Sequence, residues 1–274
     1  MYATPAHART IAAAALSVML ATGKAVAGDD CPATGGRLAH VTATSDSTTL
    51  VLDDGTTVRL AGILAPTAPR FVETPEQWPP AMAARAALVR LAEGRAVRIV
   101  ADAPADRHGR IPAQVFLADV RPTEWLQQVL VVQGHAMVHP RDAARRCSVA
   151  LIPFEATARM LERGLWNGRY YGVQTADRTD RLLNRVNGFV LVEGRVHEVA
   201  RTSMRIYLNF GDDWRSDFTA SLSPSTGRLF TDSGISLEAL AGTRVRVRGW
   251  IESYNGPFVD IAVPEQIEVL DARR

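Results

Sequence analysis

Short alternating strands with turn residues between them are the feature that most constrains the fold. Residues 49–52 and 56–60 alternate apolar and polar side chains on either side of Asp53-Asp54-Gly55. An Asp-Gly turn between two such segments is typical of a β-hairpin. Strand patterns follow at residues 95–100 and 112–117, and helical spacing of apolar residues is found at 80–91, 124–133 and 149–162. This order predicts an α+β domain at residues 37–172.

A second strand-rich unit follows the first. Its predicted strands lie at residues 189–196, 206–210, 217–222, 245–251 and 258–263, and a short helix is predicted at 236–240. Asn255-Gly256 predicts a hairpin between the last two strands. Three strands, a helix and two strands follow the order of an OB-fold barrel. We therefore predict a mainly β, α+β chain whose second domain, residues 188–271, is a small OB-like barrel, joined to the first by a polar linker or connecting helix at 173–187.

The first 27 residues have the pattern of a secretory signal peptide. Arg9 precedes an apolar run at residues 11–21, and Ala25-Val26-Ala27 has the small residues of a cleavage site. The run is too short to span a bilayer, which takes about 20 apolar residues, and no other segment approaches that length. We therefore expect an exported protein, periplasmic or secreted. An ordinary N-terminal helix is the alternative.

Net charge gives no general argument for a polyanionic partner. The formal net charge is +2, and a leader that contains Arg9 and Lys24 but no acidic residue accounts for both charges. A strongly basic chain would attract nucleic acid over its whole surface. Any such partner of this chain must instead be bound by a local group of arginines.

Cys31 and Cys147 both remain after the predicted cleavage. An even number of cysteines in an exported chain predicts a disulfide. Two buried free thiols are the alternative. Neither cysteine lies in a Cys-x-x-Cys pattern or beside a group of histidines, so the sequence does not indicate a zinc or thiol-redox site.

Three segments of the chain resemble the staphylococcal nuclease, or thermonuclease, family. They are residues 44–66, which read TSDSTTLVLDDGTTVRLAGILAP, then Asp106-Arg107-His108-Gly109-Arg110, and Gly164-Leu165-Trp166. In that family the first segment typically reads DGDT, then a short hairpin, then RLxGIDxPE. The resemblance covers about half of the chain, residues 37–171. It implies a five-stranded OB-type barrel with helices packed on it.

The resemblance also implies a site that cleaves phosphodiesters, in which two arginines clamp the phosphate, two aspartates hold calcium and a glutamate acts on water. Arg59 and Arg110 match the two arginines, and Asp46 matches the first aspartate of DGDT. The remaining acidic residues are replaced by Thr48, Leu64 and Thr67. Calcium requires several oxygen ligands, and leucine offers none. The residues therefore predict a degenerate nuclease site that holds no metal.

The segment TRVRVRGW in the second unit contains three arginines at alternate positions. In a strand, Arg244, Arg246 and Arg248 share one face at a spacing of roughly 7 Å. Such a row could follow a phosphate backbone, and Trp250 could stack on a base. The alternative is a half-exposed strand whose arginines are offset by Asp212, Asp213, Asp217 and Glu252.

Three functions remain open from the sequence. The first is an exported protein that binds nucleic acid or another polyanion through Arg59, Arg110 and the arginine strand, without efficient hydrolysis or a cofactor. The second is a metal-dependent endonuclease with relocated carboxylates, such as Glu73 and Glu76, which would need Ca²⁺. The third is an envelope module that binds protein partners. Salt-dependent affinity for nucleic acid separates the first function from the third.

Overall fold

The computed structural model describes residues 31, 34–70, 72–74, 77–141, 144–168 and 170–271. The predicted signal peptide lies outside these residues. Within them the chain forms two β-rich domains, each with its own apolar core. No helix in this part of the chain combines the length and the apolar character that a membrane crossing requires.

The first domain is a closed barrel with helices packed on it. Its elements are β1 (Arg37–Thr44), β2 (Thr49–Leu52), β3 (Thr57–Leu60), β4 (Ile63–Leu64), α1 (Pro79–Ala92), β5 (Ala96–Ala101), β6 (Arg110–Leu117), β7 (Glu124–Trp125), α2 (Leu126–Val132), β8 (Met137–Val138) and α3 (Arg145–Met160). The sheet runs β3-β2-β1-β5-β6, and a parallel pairing of β3 with β6 closes it. The predicted α+β class and OB-type barrel of this domain are confirmed.

The predicted hairpin between β2 and β3 is present, and it decides which way Arg59 points. Gly55 in its turn has a φ of +80°, a conformation that L side chains rarely adopt. In β3, Val58 and Leu60 are buried in the barrel core. Because side chains alternate along a strand, Arg59 between them lies on the outer face of the barrel.

The predicted helices of the first domain are present with shifted ends. The segment predicted as a helix at 124–133 is divided, because Glu124–Trp125 pairs with β6 as strand β7 before α2 begins. α3 begins at Arg145, four residues before the predicted start. The earlier start is explained by Cys147, which is buried in the barrel core and so holds the first turn of the helix in place.

The second domain contains mostly strands. Its elements are β9 (Gln174–Thr175), α4 (Thr179–Leu183), β10 (Phe189–Arg195), β11 (Glu198–Arg201), β12 (Ile206–Asn209), β13 (Thr219–Leu222), α5 (Pro224–Asp232), β14 (Arg244–Ser253), β15 (Pro257–Ile261) and β16 (Ile267–Val269). The sheet runs β11-β12-β13-β15-β14-β10-β9, and β16 pairs with β14 beside this path. β13 pairs with β15 in parallel, as β3 pairs with β6 in the first domain.

Two expectations about the second domain are corrected. Of the two alternatives for residues 173–187, the open linker is wrong and the helix is present as α4, because β9 pairs with β10 and Leu182 of α4 is fully buried in the core of this domain. Helix α5 was not expected from the sequence, where a short helix was predicted only at 236–240. That segment contains a 3₁₀ turn at Glu238–Leu240. α5 begins after Ser223, whose hydroxyl accepts a hydrogen bond from the Thr226 backbone at 3.0 Å.

The two domains share a third apolar cluster, here called the junction cluster. Its buried members are Met137, Ala158, Leu165, Trp166 and Tyr171 from one side and Phe189 and Leu191 of β10 from the other. A disulfide between Cys31 and Cys147 joins the start of the described chain to α3. The predicted disulfide is therefore confirmed, and it lies on the helix that also contributes Ala158 to the junction cluster.

Candidate functional site

Arg59 and Arg110 are brought together by the parallel pairing that closes the first barrel. Arg110 lies opposite Thr57, two residues before Arg59 in β3. Residues in this diagonal relation on neighbouring strands have Cα atoms roughly 7–8 Å apart and share one face. Burial, and after it the positive charge of the nearby Arg110, lowers the pKa of Arg59.

Arg110 is held in place by the turn that precedes it. Its Nε atom donates to Oδ2 of Asp106 at 3.0 Å, and the other carboxylate oxygen accepts from the backbone of His108 at 2.8 Å. Desolvation opposes ionisation of Asp106, but the hydrogen bonds from Arg110 and His108 outweigh it and lower the pKa of Asp106 to about 2. Gly109 completes the turn with a φ of +75°. The turn at residues 106–110 therefore fixes the orientation of the Arg110 side chain.

The Nε atom of Arg59 is not fixed in this way by hydrogen bonds from the described residues. Its Nε atom is buried and has no hydrogen-bond partner among the residues that the structure describes. Burial, then the charges of Arg110 and Arg141, lower the pKa of Arg59, while Asp106 and Asp46 act in the opposite direction. A buried donor without a partner is rare in native proteins, since it loses its hydrogen bonds to water. The site therefore contains a cationic donor that protein atoms leave unsatisfied.

His139 and Arg141 extend this arginine site and were not identified from the sequence. The backbone N of His139 donates to the carbonyl of Gly62 at 2.8 Å, next to the pairing of β4 with β8. These contacts hold the segment that contains His139 and Arg141 against β4, near Arg59. Burial, then Arg141, Arg59 and Arg248, lower the pKa of His139 to about 4. No spacing rule in the sequence pointed to these residues, because they follow a strand of only two residues.

The acidic positions of the family motif are occupied by groups that already have other contacts. Oδ1 of Asp46 accepts from the backbone N of Thr48 at 2.7 Å, and Oδ2 accepts from the Thr49 hydroxyl at 2.9 Å. Leu64 packs on the junction cluster. The carbonyl of Thr67 accepts a hydrogen bond from the Tyr171 hydroxyl at 2.6 Å.

This set of side chains does not fit a calcium ion. Calcium is held by several carboxylate and carbonyl oxygens at once, and Leu64 supplies none. In the described residues there is no group of three or more His, Cys, Asp and Glu side chains placed to hold a metal. Asp53 and Asp54 stay at the hairpin turn, where Asp54 pairs with Arg37 at 2.9 Å. Glu76 lies outside the described residues.

The arginine strand is not a continuous phosphate-facing row. Arg244, Arg246 and Arg248 alternate with buried valines on β14, as expected. Arg248, however, is fully buried, and its guanidinium is paired with Glu155 and Glu268. The assignment of Arg248 to a nucleic-acid surface is therefore wrong, because its charge is neutralised inside the protein.

The other two arginines of this strand are also paired. Arg246 donates to Glu193 and Glu268, and Arg244 lies 3.1 Å from Glu193. These partners are not the acidic neighbours that the sequence suggested. Arg244 remains exposed, so of the three it is the one most open to a ligand.

Trp250 lies in an aromatic group that reaches the arginine site. Its ring centroid is 5.6 Å from that of Phe189 and 6.3 Å from that of His139. The indole is 39% exposed. Trp250, in the second domain, therefore lies beside His139 of the first domain.

The fold of the first domain is of the nuclease-like, nucleic-acid-binding type. The family model described as staphylococcal nuclease homologue matches residues 57–168, which include Arg59, Arg110, His139 and Arg141. The first domain of this chain is therefore a staphylococcal-nuclease-like domain. No curated protein matches the chain.

Proposed function

We propose that the first domain binds the phosphate backbone of nucleic acid, or another polyanion, at Arg59, Arg110 and Arg141, and that it does so without efficient hydrolysis. The observation that carries this proposal is the buried Nε of Arg59, which has no hydrogen-bond partner among the described residues. We further propose that the protein is exported. The leader-like sequence at residues 1–27 and the disulfide between Cys31 and Cys147 support export.

An oxyanion would provide an acceptor for the unpartnered Nε of Arg59 and a negative charge for the group of arginines. Its oxygens accept hydrogen bonds from the guanidinium of Arg59, and its negative charge offsets the repulsion among Arg59, Arg110 and Arg141. Guanidinium groups form charge-assisted, often bidentate hydrogen bonds with phosphate. Asp106, which orients Arg110, and Asp46 are two carboxylates near three guanidinium groups, so positive charge remains in excess.

Weak or absent hydrolysis follows from the residues at the acidic positions. Loss of a positioned general base alone lowers a rate by roughly 10²- to 10⁴-fold. Thr67 stands at the position of the family's glutamate, and Thr48 and Leu64 replace the metal ligands. Without a general base and metal ligands, the arginines would bind a phosphate but would not activate a water molecule to attack it.

Flexible or single-stranded nucleic acid is the ligand that the surroundings of the site favour. The shared strand order of the two barrels supports an OB-type assignment for the second domain as well. Trp250, partly exposed and next to His139, offers an aromatic face on which an unpaired base could stack. Bases inside a duplex are already stacked and cannot use such a face.

Binding of a fluorescently labelled oligo-dT strand to the full chain, measured by anisotropy at several salt concentrations, tests this proposal. We expect affinity to fall with salt, with a slope of about 0.7 for each phosphate contact. Arg59→Ala should weaken binding and reduce the slope by about one contact. Arg228→Ala, which removes an exposed arginine on α5, is the matched control and should change neither quantity.

Two outcomes contradict the proposal. Calcium-dependent cleavage of DNA by the purified chain, abolished by Arg110→Ala, would establish the endonuclease with relocated carboxylates. The absence of any salt-dependent binding to nucleic acid or to polyphosphate would favour the module that binds protein partners.

A further inference from the structure

The outer face of the second barrel holds a groove that is separate from the arginine site. Direct pairing sets Glu198, Asn209, Thr219 and Phe258 in one row across β11, β12, β13 and β15. Residues directly opposite each other on neighbouring strands share a face, so these four side chains form the floor of the groove. Its volume is about 370 Å³, within the range of small-ligand sites.

Aromatic side chains form the rest of the groove. Tyr207 lies on β12, Trp214 on the loop between β12 and β13, and Tyr254 on the turn between β14 and β15. Trp214 is 49% exposed and Tyr254 is 65% exposed. The ring of Tyr254 meets that of Phe258 edge to face, with centroids 6.0 Å apart. These exposed fractions leave part of the Trp214 and Tyr254 rings accessible to a ligand.

The charges around this groove are opposite in sign to those of the arginine site. Glu198 is the charged side chain of its lining, and no arginine lines it among the described residues. The neighbouring loop, residues 211–217, contains three aspartates and one arginine. That arginine, Arg215, already lies over the ring of Trp214, 4.5 Å from its centroid. Arg205, at the far end of the same face, is paired with Asp260 and Ser221.

These observations favour a cation over an anion. The face of an aromatic ring carries partial negative charge and attracts ammonium and guanidinium groups within about 6 Å of its centroid. A carboxylate beside the rings adds a counter-charge to such a ligand and repels phosphate. Asn209, whose Oδ1 accepts from the Thr219 hydroxyl at 3.4 Å, adds a polar group to the floor.

We propose that this groove binds an organic cation, an ammonium or guanidinium group on an alkyl chain, between the aromatic rings of Tyr207, Trp214 and Tyr254, with Glu198 as its counter-charge. The chemistry is shared by a basic side chain of a peptide and by a small free ammonium compound. Either source places the charge near Glu198 and the alkyl chain against the rings.

Titration of the full ¹⁵N-labelled chain, followed by NMR, tests this proposal. The probes are Nα-acetyl-lysine methylamide and Nα-acetyl-arginine methylamide for the peptide source, choline for the free source, and maltose and thymidine as neutral ligands. We expect saturable shifts of the Trp214 indole NH with at least one cation and none with the neutral ligands. Saturation by choline alone identifies a free ammonium compound, and saturation by an amino-acid derivative identifies a peptide side chain.

Substitutions locate the binding in the groove. Glu198→Gln and Tyr254→Ala should each raise the dissociation constant of the bound cation at least fivefold. Asp232→Asn and Met204→Ala, which remove an exposed carboxylate and a 77% exposed methionine outside the groove, are the matched controls and should change it less than twofold. Arg59→Ala should also leave it unchanged, which separates this test from that of the arginine site.

Three results would overturn the inference. They are the absence of saturable binding by every cation, an equal or tighter affinity for thymidine or maltose, and an unchanged dissociation constant in a Glu198→Gln variant that retains the thermal stability of the unsubstituted chain.

Discussion

Nη2 of Arg248, in the second domain, lies 2.9 Å from Oε2 of Glu155, in the first, and neither side chain is exposed to solvent. Glu155 also accepts from the backbone of Val138 at 2.7 Å and from Arg159 at 2.7 Å. Arg248 donates in addition to the Val138 carbonyl and to Glu268. The two domains are therefore joined by a buried ionic network as well as by the junction cluster, and we expect them to unfold as one unit.

Replacement of Arg248 should be strongly destabilising. Arg248→Met leaves Glu155 and Glu268 without their main partner in the protein interior, and breaking a buried ion pair costs about 3–5 kcal/mol. Urea denaturation measures this change in the free energy of unfolding. Arg244→Met, on the exposed part of the same strand, is the control and should cost less than about 1 kcal/mol. Equal effects of the two substitutions would contradict the role of the network.

Asp102 should make the chain less stable as the pH rises. Burial raises its pKa to about 6, although Gln114 donates a hydrogen bond to it at 2.6 Å. Because this value exceeds the ordinary 3.8, the folded state binds the proton more tightly than the unfolded state. The resulting stability is complete below pH 3.8 and is lost as the pH rises through about 6.

Asp102→Asn should therefore raise the melting temperature at pH 7.5 and change it little at pH 4. Asp119 provides a control of opposite sign, since its hydrogen bond with Arg95 lowers its pKa. Asp119→Asn should lower the melting temperature at pH 7.5. A decrease for both variants at that pH would show that Asp102 is stabilised as a carboxylate.

His139 should report on occupancy of the arginine site. Burial and the charges of Arg141 and Arg59 lower its pKa to about 4, so the stability that neutral His139 contributes is present above pH 6.5 and lost as the pH falls through about 4. NMR titration of the imidazole should give a midpoint near 4. Added pyrophosphate should raise the midpoint, because a bound anion offsets the arginines.

A substitution checks the cause of this shift. Arg59→Ala removes one of the charges that lower the pKa of His139, so it should raise the midpoint even without pyrophosphate. If pyrophosphate moves the midpoint equally in Arg59→Ala and in the unsubstituted chain, the anion is not bound by Arg59.

The disulfide should contribute substantially to stability. Cys31 and Cys147 are 116 residues apart in the chain, and closing a loop of that length stabilises the folded state by about 4–5 kcal/mol in the chain-entropy model. The double variant Cys31→Ser, Cys147→Ser should show a correspondingly lower free energy of unfolding in urea. A reducing agent should lower the stability of the unsubstituted chain and leave that of the double variant unchanged.

Local patterns were sufficient to predict most of the fold. The Asp-Gly turn predicted the hairpin that carries Arg59, and the order of strands and helices predicted the first barrel. Helix α5 was missed because Gly227 and several polar residues weaken its helical pattern. Its burial also depends on residues that are distant in the chain. Ile206 packs so close to Gly227 that a Cβ added there would lie 2.8 Å from the Cδ1 atom of Ile206.

The candidate site was only partly predictable for the same physical reason. Arg59 and Arg110 belong to recognisable segments, whereas Arg141 joins them through the pairing of β4 with β8. The alternation of arginines on β14 was predicted correctly. The burial of Arg248 was not predictable, since its partner Glu155 lies 93 positions away on another domain.

Leu64, at one of the acidic positions of the family motif, contributes to the contact between the two domains. It packs on the junction cluster, to which β10 contributes Phe189 and Leu191. Because Leu64 is only partly buried, a carboxylate at this position would be partly desolvated against the apolar side chains of that cluster. An acidic residue at position 64 would therefore weaken the packing that joins the two domains, so the cohesion of the chain constrains which side chain this edge of the first domain can present.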